Sequence, residues 1–154
     1  MTVDVRLLTG PFDATAEIDA FIAANGDAGG VASFIGKVRP SGGVEALELS
    51  HYEPLTLAGM QALAFEVERR WQVTGLAMVH RTGVMLPGEA IVLVAAAAHH
   101  RREAIEAVDF AMDHLKGDSW FWKREKRAGE WQWIEPRERD FSDLARWEQN
   151  SGSV

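Results

Sequence analysis

"EAIVLVAAAAHHRREAIEAVDFAMDHLKG", residues 89–117, is the stretch from which the fold can be read. After its opening acid the first part is apolar throughout. Such a strand has no solvent face and belongs at the centre of a sheet covered on both sides. Beyond "HHRR" the period changes. Ile105, Val108, Met112 and Leu115 step by three, four and three residues, which places them on one side of a helix, and Gly117 stands where that helix should stop.

Working outward, "VDVRLLT" reads as a first strand. "DATAEIDAFIAANG" reads as a helix with Asp13 as N-cap, an apolar stripe of Ile18, Phe21 and Ile22, and a stop at Asn25 and Gly26. "GGVASFIGKVR" and "GVEALELSHY" are strands separated by "PSGG". "PLTLAGMQALAFEVERRW" is a helix opened by Pro54, with Leu57, Met60, Ala64, Val67 and Trp71 at helical spacing. "GLAMVHRTG" is a strand joined to the central one by the "LPGE" turn. "FWKREKRAGEWQWIE" reads as a hairpin turning near Ala128 and Gly129, and "FSDLARWE" as a short closing helix. Strands and helices mix without strict alternation, so the class is α+β. One domain is expected over residues 1–148, with a disordered polar tail at 149–154.

Composition narrows the functions. Hydrophobic residues make up 47% and charged residues 25% of the 154, the balance of a soluble globular chain. No apolar run reaches the ~20 residues a membrane span needs, and the N-terminus has no signal-peptide pattern, so a cytoplasmic protein is expected. The chain has no cysteine, which excludes disulfides, thiolate metal sites and thiol nucleophiles. Any sulfur chemistry must use sulfur brought by another molecule. The net charge of -7 argues against a general nucleic-acid binder. Residues 99–127 nevertheless hold seven Lys and Arg against six Asp and Glu, a basic region on an acidic body that suits a small anion.

Four places within the chain could carry chemistry. At "HHRRE" two histidines and two arginines meet the start of a helix, where the dipole disfavours cations by about 0.3–1 kcal/mol each. They either point into solvent or await a phosphate or carboxylate that also takes helix N–H groups. Lys116 alone reads as an ordinary C-terminal cap, but Lys123 follows in "WFWKRE", where Gly117 can fold the chain back. Two ammonium groups held together push one pKa down, as a catalytic lysine requires. In "FIGKVRP" Lys37 and Arg39 share one face of a strand end, and Gly36 permits a bulge. Trp131 and Trp133 read as hairpin structure, whereas Trp120 and Trp122 could wall a pocket for a flat ring. His51, His80 and His114 show no ligand spacing, and no metal or other cofactor is expected.

These pieces, in this order, resemble the large, catalytic subunit of molybdopterin synthase from about residue 28 to 140. The blocks that carry the likeness are "FIGKVR", "HY", "MVHRTGVMLPGEAIVLVAAAAHHRREAIEA", "MDHLK" and "FWKRE". The resemblance implies an α/β hammerhead fold and a sulfurtransferase that converts cyclic pyranopterin monophosphate to molybdopterin. Sulfur would arrive as a thiocarboxylate on the Gly-Gly C-terminus of a small ubiquitin-like subunit, with two large subunits forming the central homodimer of a heterotetramer. By the same resemblance Lys116 and Lys123 are catalytic. Lys37, Val38, Arg39, His100, Arg101, Arg124, Glu125 and Arg137 join the two lysines in binding the pterin. Departures are the short "PSGG" segment and "HYEPLT" in place of the family's proline-glycine-methionine turn. Two other functions compete: a non-catalytic subunit that binds a carrier-protein tail, which needs no lysine pair, and a single-stranded nucleic-acid binder using "FWKREKR".

Overall fold

The computed structural model describes residues 2–117, 120–135 and 138–151. Along the chain run β1 (Thr2–Leu8), α1 (Ala14–Ala24), β2 (Gly30–Lys37), β3 (Ala46–His51), α2 (Leu55–Arg70) and β4 (Val73–Arg81). There follow β5 (Gly83–Met85), β6 (Ala90–Ala98), α3 (Arg101–Gly117), β7 (Phe121–Arg127), β8 (Glu130–Ile134) and α4 (Glu138–Ser151). Two four-stranded sheets result, in the orders β1-β4-β6-β2 and β5-β3-β7-β8. Only the β1–β4 pair is parallel, so the α+β expectation holds.

The first sheet explains the apolar run of β6. One face carries Leu76, Met78, Val92, Val94 and Ala96 against Met60 and Val67 of α2 and Ala107, Phe110 and Ala111 of α3. The other face carries Ala77, Ala95 and Ala97 against Phe21 of α1. Both sides of β6 are therefore dry, and no polar alternation is possible. The alanines on α3 bring that helix close to the sheet and centre its contact on Ala104, Ala107 and Ala111. This leaves Ile105, expected in the buried stripe, 55% exposed. Ile22 of α1 is exposed for a related reason: Phe21 alone fills the contact.

Two readings of the chain need correction. Between β4 and the "LPGE" turn lies an additional strand, β5, which pairs with β3 in the second sheet. β2 pairs with β6 and β3 with β7, so the strands on either side of "PSGG" belong to different sheets. The closing helix is longer than "FSDLARWE", and residues 152–154 of the polar tail lie outside the described residues. The β7–β8 hairpin is as expected, with φ of +50° at Ala128 and +78° at Gly129, the left-handed pair that tight hairpins use, although the Cβ of Ala128 disfavours that region.

α4 is fastened to α3. Arg146 donates to Asp109 at 3.0 Å and Asp113 at 2.6 Å, and Trp147 Nε1 donates to Asp113 at 2.5 Å. Gly117 closes α3 without a left-handed turn. Its requirement is space, since a Cβ there would lie 2.8 Å from Leu144 of α4.

Candidate functional site

Where the C-terminal end of α3 meets the second sheet, residues of both sheets line a cavity of about 700 Å³. Its floor is apolar, with Leu47 and Leu49 from β3, Ile91 and Val92 from β6, and Phe121 from β7. Its cationic groups come from three directions: Lys116 from α3, Lys123 from β7, and Lys37 with Arg39 from the end of β2. Glu135, Asp140 and Phe141 close the side formed by the start of α4. An apolar floor under convergent cations suits a flat ring that bears an anionic group.

The local structure explains these positions. Phe121 and Lys123 are two apart on a strand and face the same way, as do Leu47 and Leu49 in the register partner β3. At the end of β2 the ladder with β6 slips between Gly36 and Lys37. A Cβ on Gly36 would lie 2.8 Å from Val92 Cγ1, so glycine permits the close approach at that slip. Lys123 Nζ lies 3.6 Å from Glu125, whose carboxylate also holds Arg127 at 3.0 Å.

Other expected site residues stand elsewhere. Val38 is buried with Leu47, Leu49 and Met85, so its side chain is core. Arg124 projects from the opposite face of β7, donates to Glu48 at 2.8 Å and lies over the Trp131 ring at 4.5 Å. Glu125 acts through its ion pairs and does not line the cavity. His100 and Arg101 are exposed at the other end of α3, about 22 Å from Lys116 along the helix axis. Within one chain they cannot share its cavity. Arg137 lies outside the described residues.

The tryptophans exchange roles. Trp120 packs against the main core, and its carbonyl accepts from Thr56 Oγ1 at 2.8 Å. It is Trp122 and Trp133, 45% and 65% exposed, that reach the cavity. Trp120 stands just before β7, outside the alternation that governs Trp122.

His80 also belongs to the site, and its spacing gave no hint of it. The ring is 6% exposed and stacks on Phe121 with centroids 4.0 Å apart and planes 15° from parallel. Its Nδ1 lies 3.0 Å from the Arg81 carbonyl oxygen. Burial holds its pKa down to about 4, and the nearby charge of Lys116 acts in the same direction against the opposing backbone bond. The ring is neutral at pH 7. Since a carbonyl can only accept, Nδ1 carries the proton and Nε2 the lone pair. A lone histidine at the end of an otherwise apolar strand was the available signal.

Among the described residues, no three His, Asp or Glu side chains converge as a metal site, and no helix is long and apolar enough to cross a membrane.

Comparison with known proteins agrees with the geometry. The family described as MoaE protein matches residues 7–118. The molybdopterin synthase catalytic subunit of Caulobacter vibrioides is 44% identical over 148 residues, covering 96% of this chain and 99% of that one. The solved structure of molybdopterin cofactor biosynthesis protein E from Burkholderia multivorans superposes with a TM-score of 0.79 at 40% identity, covering 96% and 98% of the two chains. A complex of subunits 1 and 2 of a molybdopterin-converting factor from Helicobacter pylori contains a chain with the same fold, at a TM-score of 0.75 and 21% identity. That match covers 86% of this chain and 91% of that one.

Proposed function

The chain belongs to the MoaE family, and from that premise we propose that it is the catalytic subunit of a molybdopterin synthase. Its substrate is cyclic pyranopterin monophosphate, into which two sulfur atoms are inserted as a dithiolene. The sulfur comes from the C-terminal thiocarboxylate of a small ubiquitin-like subunit ending in Gly-Gly. The observation that carries this reading is the meeting of Lys116 and Lys123, from different elements, over one apolar floor.

In this mechanism the tail of the small subunit enters the cavity and the pterin lies on its floor. In each of two transfers, one thiocarboxylate sulfur displaces an oxygen substituent of the pyranopterin and water then cleaves the acyl–sulfur bond, leaving the tail as a carboxylate. Lys116 and Lys123 offset the charge of the thiocarboxylate and of the oxyanion formed as water adds. They also move the protons that each transfer requires. Lys37 and Arg39 hold the phosphate. His100 and Arg101, exposed at the start of α3, are available to substrate bound by a second large subunit in a central homodimer. Arg124 and Glu125 support β7, with Glu125 holding Lys123 in place. The Helicobacter pylori complex supports a small protein partner, and a carrier protein with a phosphorylated small molecule suits a cytoplasmic reaction.

The test mixes the protein with a thiocarboxylated small subunit and pyranopterin and follows the dithiolene product. Product should form only with that partner, while a partner ending in carboxylate should bind without reacting. Full-rate turnover with inorganic sulfide and no partner would refute tail delivery.

A further inference from the structure

Among the described residues that line the cavity, His80, Glu135 and Asp140 are titratable groups to which the mechanism above gives no part, and of these His80 is the buried one. Its position is strongly specified. Phe121 stacks on one face of the ring at 4.0 Å, and the Arg81 carbonyl accepts from Nδ1 at 3.0 Å. Those two contacts fix the ring plane and the tautomer together. The ring edge away from the Arg81 carbonyl carries Nε2, an acceptor, and His80 lines the same cavity as Lys116. The charged groups around that cavity are Lys116 from α3, Lys123 from β7, Lys37 and Arg39 from the end of β2, and Glu135 and Asp140 near α4.

On the reading of the site as a sulfur-transfer centre, we infer that His80 is a positioning residue for Lys116. Its neutral Nε2 accepts a hydrogen bond from the Lys116 ammonium and aims that group across the floor toward the sulfur-delivering tail. A neutral acceptor is suited to this task. A neutral imidazole orients the ammonium without adding a further negative charge beside the anionic tail. Lys116 lies close enough for its charge to oppose protonation of the ring, which keeps the acceptor in place.

Two substitutions separate positioning from packing. His80→Phe preserves a ring against Phe121 but removes the acceptor. His80→Gln can set its carbonyl oxygen near the Nε2 position. With the complete system of thiocarboxylated small subunit and pyranopterin, His80→Phe should lower kcat roughly tenfold or more while leaving KM for pyranopterin nearly unchanged. His80→Gln should recover most of the loss even if its thermal stability is the poorer of the two. Independently of turnover, ¹⁵N NMR of the ring should show Nδ1 protonated and Nε2 bare at pH 7, and Lys116→Met should raise the titration midpoint of His80. Wild-type kcat in His80→Phe would overturn the inference, as would losses that follow stability alone or an Nε2-protonated ring. If wild-type protein made no dithiolene, the proposed function would fall, and the NMR measurements would still decide whether His80 and Lys116 are coupled.

Discussion

Acidification from pH 7.5 to 5 should weaken the fold through His80. In the folded protein the ring resists protonation down to a pKa of about 4, against 6.5 for the free side chain. The unfolded chain therefore binds a proton that the folded chain refuses. Stability is undiminished above pH 6.5, declines as pH falls, and levels off below the folded value. At about 1.36 kcal/mol per unit, the loss is about 2 kcal/mol at pH 5 and about 3 kcal/mol when complete. The carboxylates act in a lower window. Glu66, bonded by Arg69 and Arg70, is held down to about 2 and keeps its contribution until pH falls below its ordinary value of 4.5. Glu17 is lowered in the same sense by its bond to Arg6. The interval from pH 6.5 to 5 thus isolates the histidine. Urea unfolding followed by tryptophan fluorescence, at several pH values, should show the gap in stability between wild type and His80→Phe shifting by about 2 kcal/mol toward the variant at pH 5. Parallel curves would refute the reasoning, because they would mean that the buried ring takes up its proton as readily as a free one.

Replacing Lys116 or Lys123 by Ala should each lower dithiolene formation by roughly 10²–10⁴-fold, with the circular dichroism spectrum unchanged; a near-normal rate in either variant would remove that lysine from the mechanism. Arg101→Ala should weaken pyranopterin binding in titration calorimetry and leave the ligand-free protein as stable as before, or more stable by up to about 1 kcal/mol. A marked loss of stability would make Arg101 structural. Gly59→Ala introduces a Cβ 2.5 Å from the Trp120 ring and should cost about 1–3 kcal/mol in thermal unfolding; an unchanged melting temperature would contradict the packing of Trp120 on α2.

What could be read from the sequence was whatever its local period records. β6 and α3 were legible because a dry strand and a helix leave different spacings, and the β7–β8 turn because Gly129 suits positive φ. β5 has three residues, too few to show a period. The assignment of β2 and β3 to different sheets depends on partners distant in the chain. In the site, Lys116 and Lys123 line one cavity, as their short separation across the helix stop at Gly117 suggested. The separation of His100 and Arg101 from that point was implicit in the length of α3. Trp120 was misplaced because it stands before β7 and packs on α2 instead of following the strand, and Trp133 because alternation is silent about which face of a hairpin is covered. His80 escaped notice because its environment, not its spacing, makes it unusual.

The cations of the cavity are borne by separate elements, and this determines which insertions and deletions the gene can tolerate. Removing one residue from the body of α3 would turn Lys116 by about 100° about the helix axis, away from a lysine that stays fixed in β7. Adding one residue within β7 would send Lys123 to the opposite face. The connection through Ser41, Gly42 and Gly43 lies beyond both elements and can change length without altering the distance between the two lysines. Variation in length among descendants of this chain should therefore collect there, while α3 and β7 keep their register.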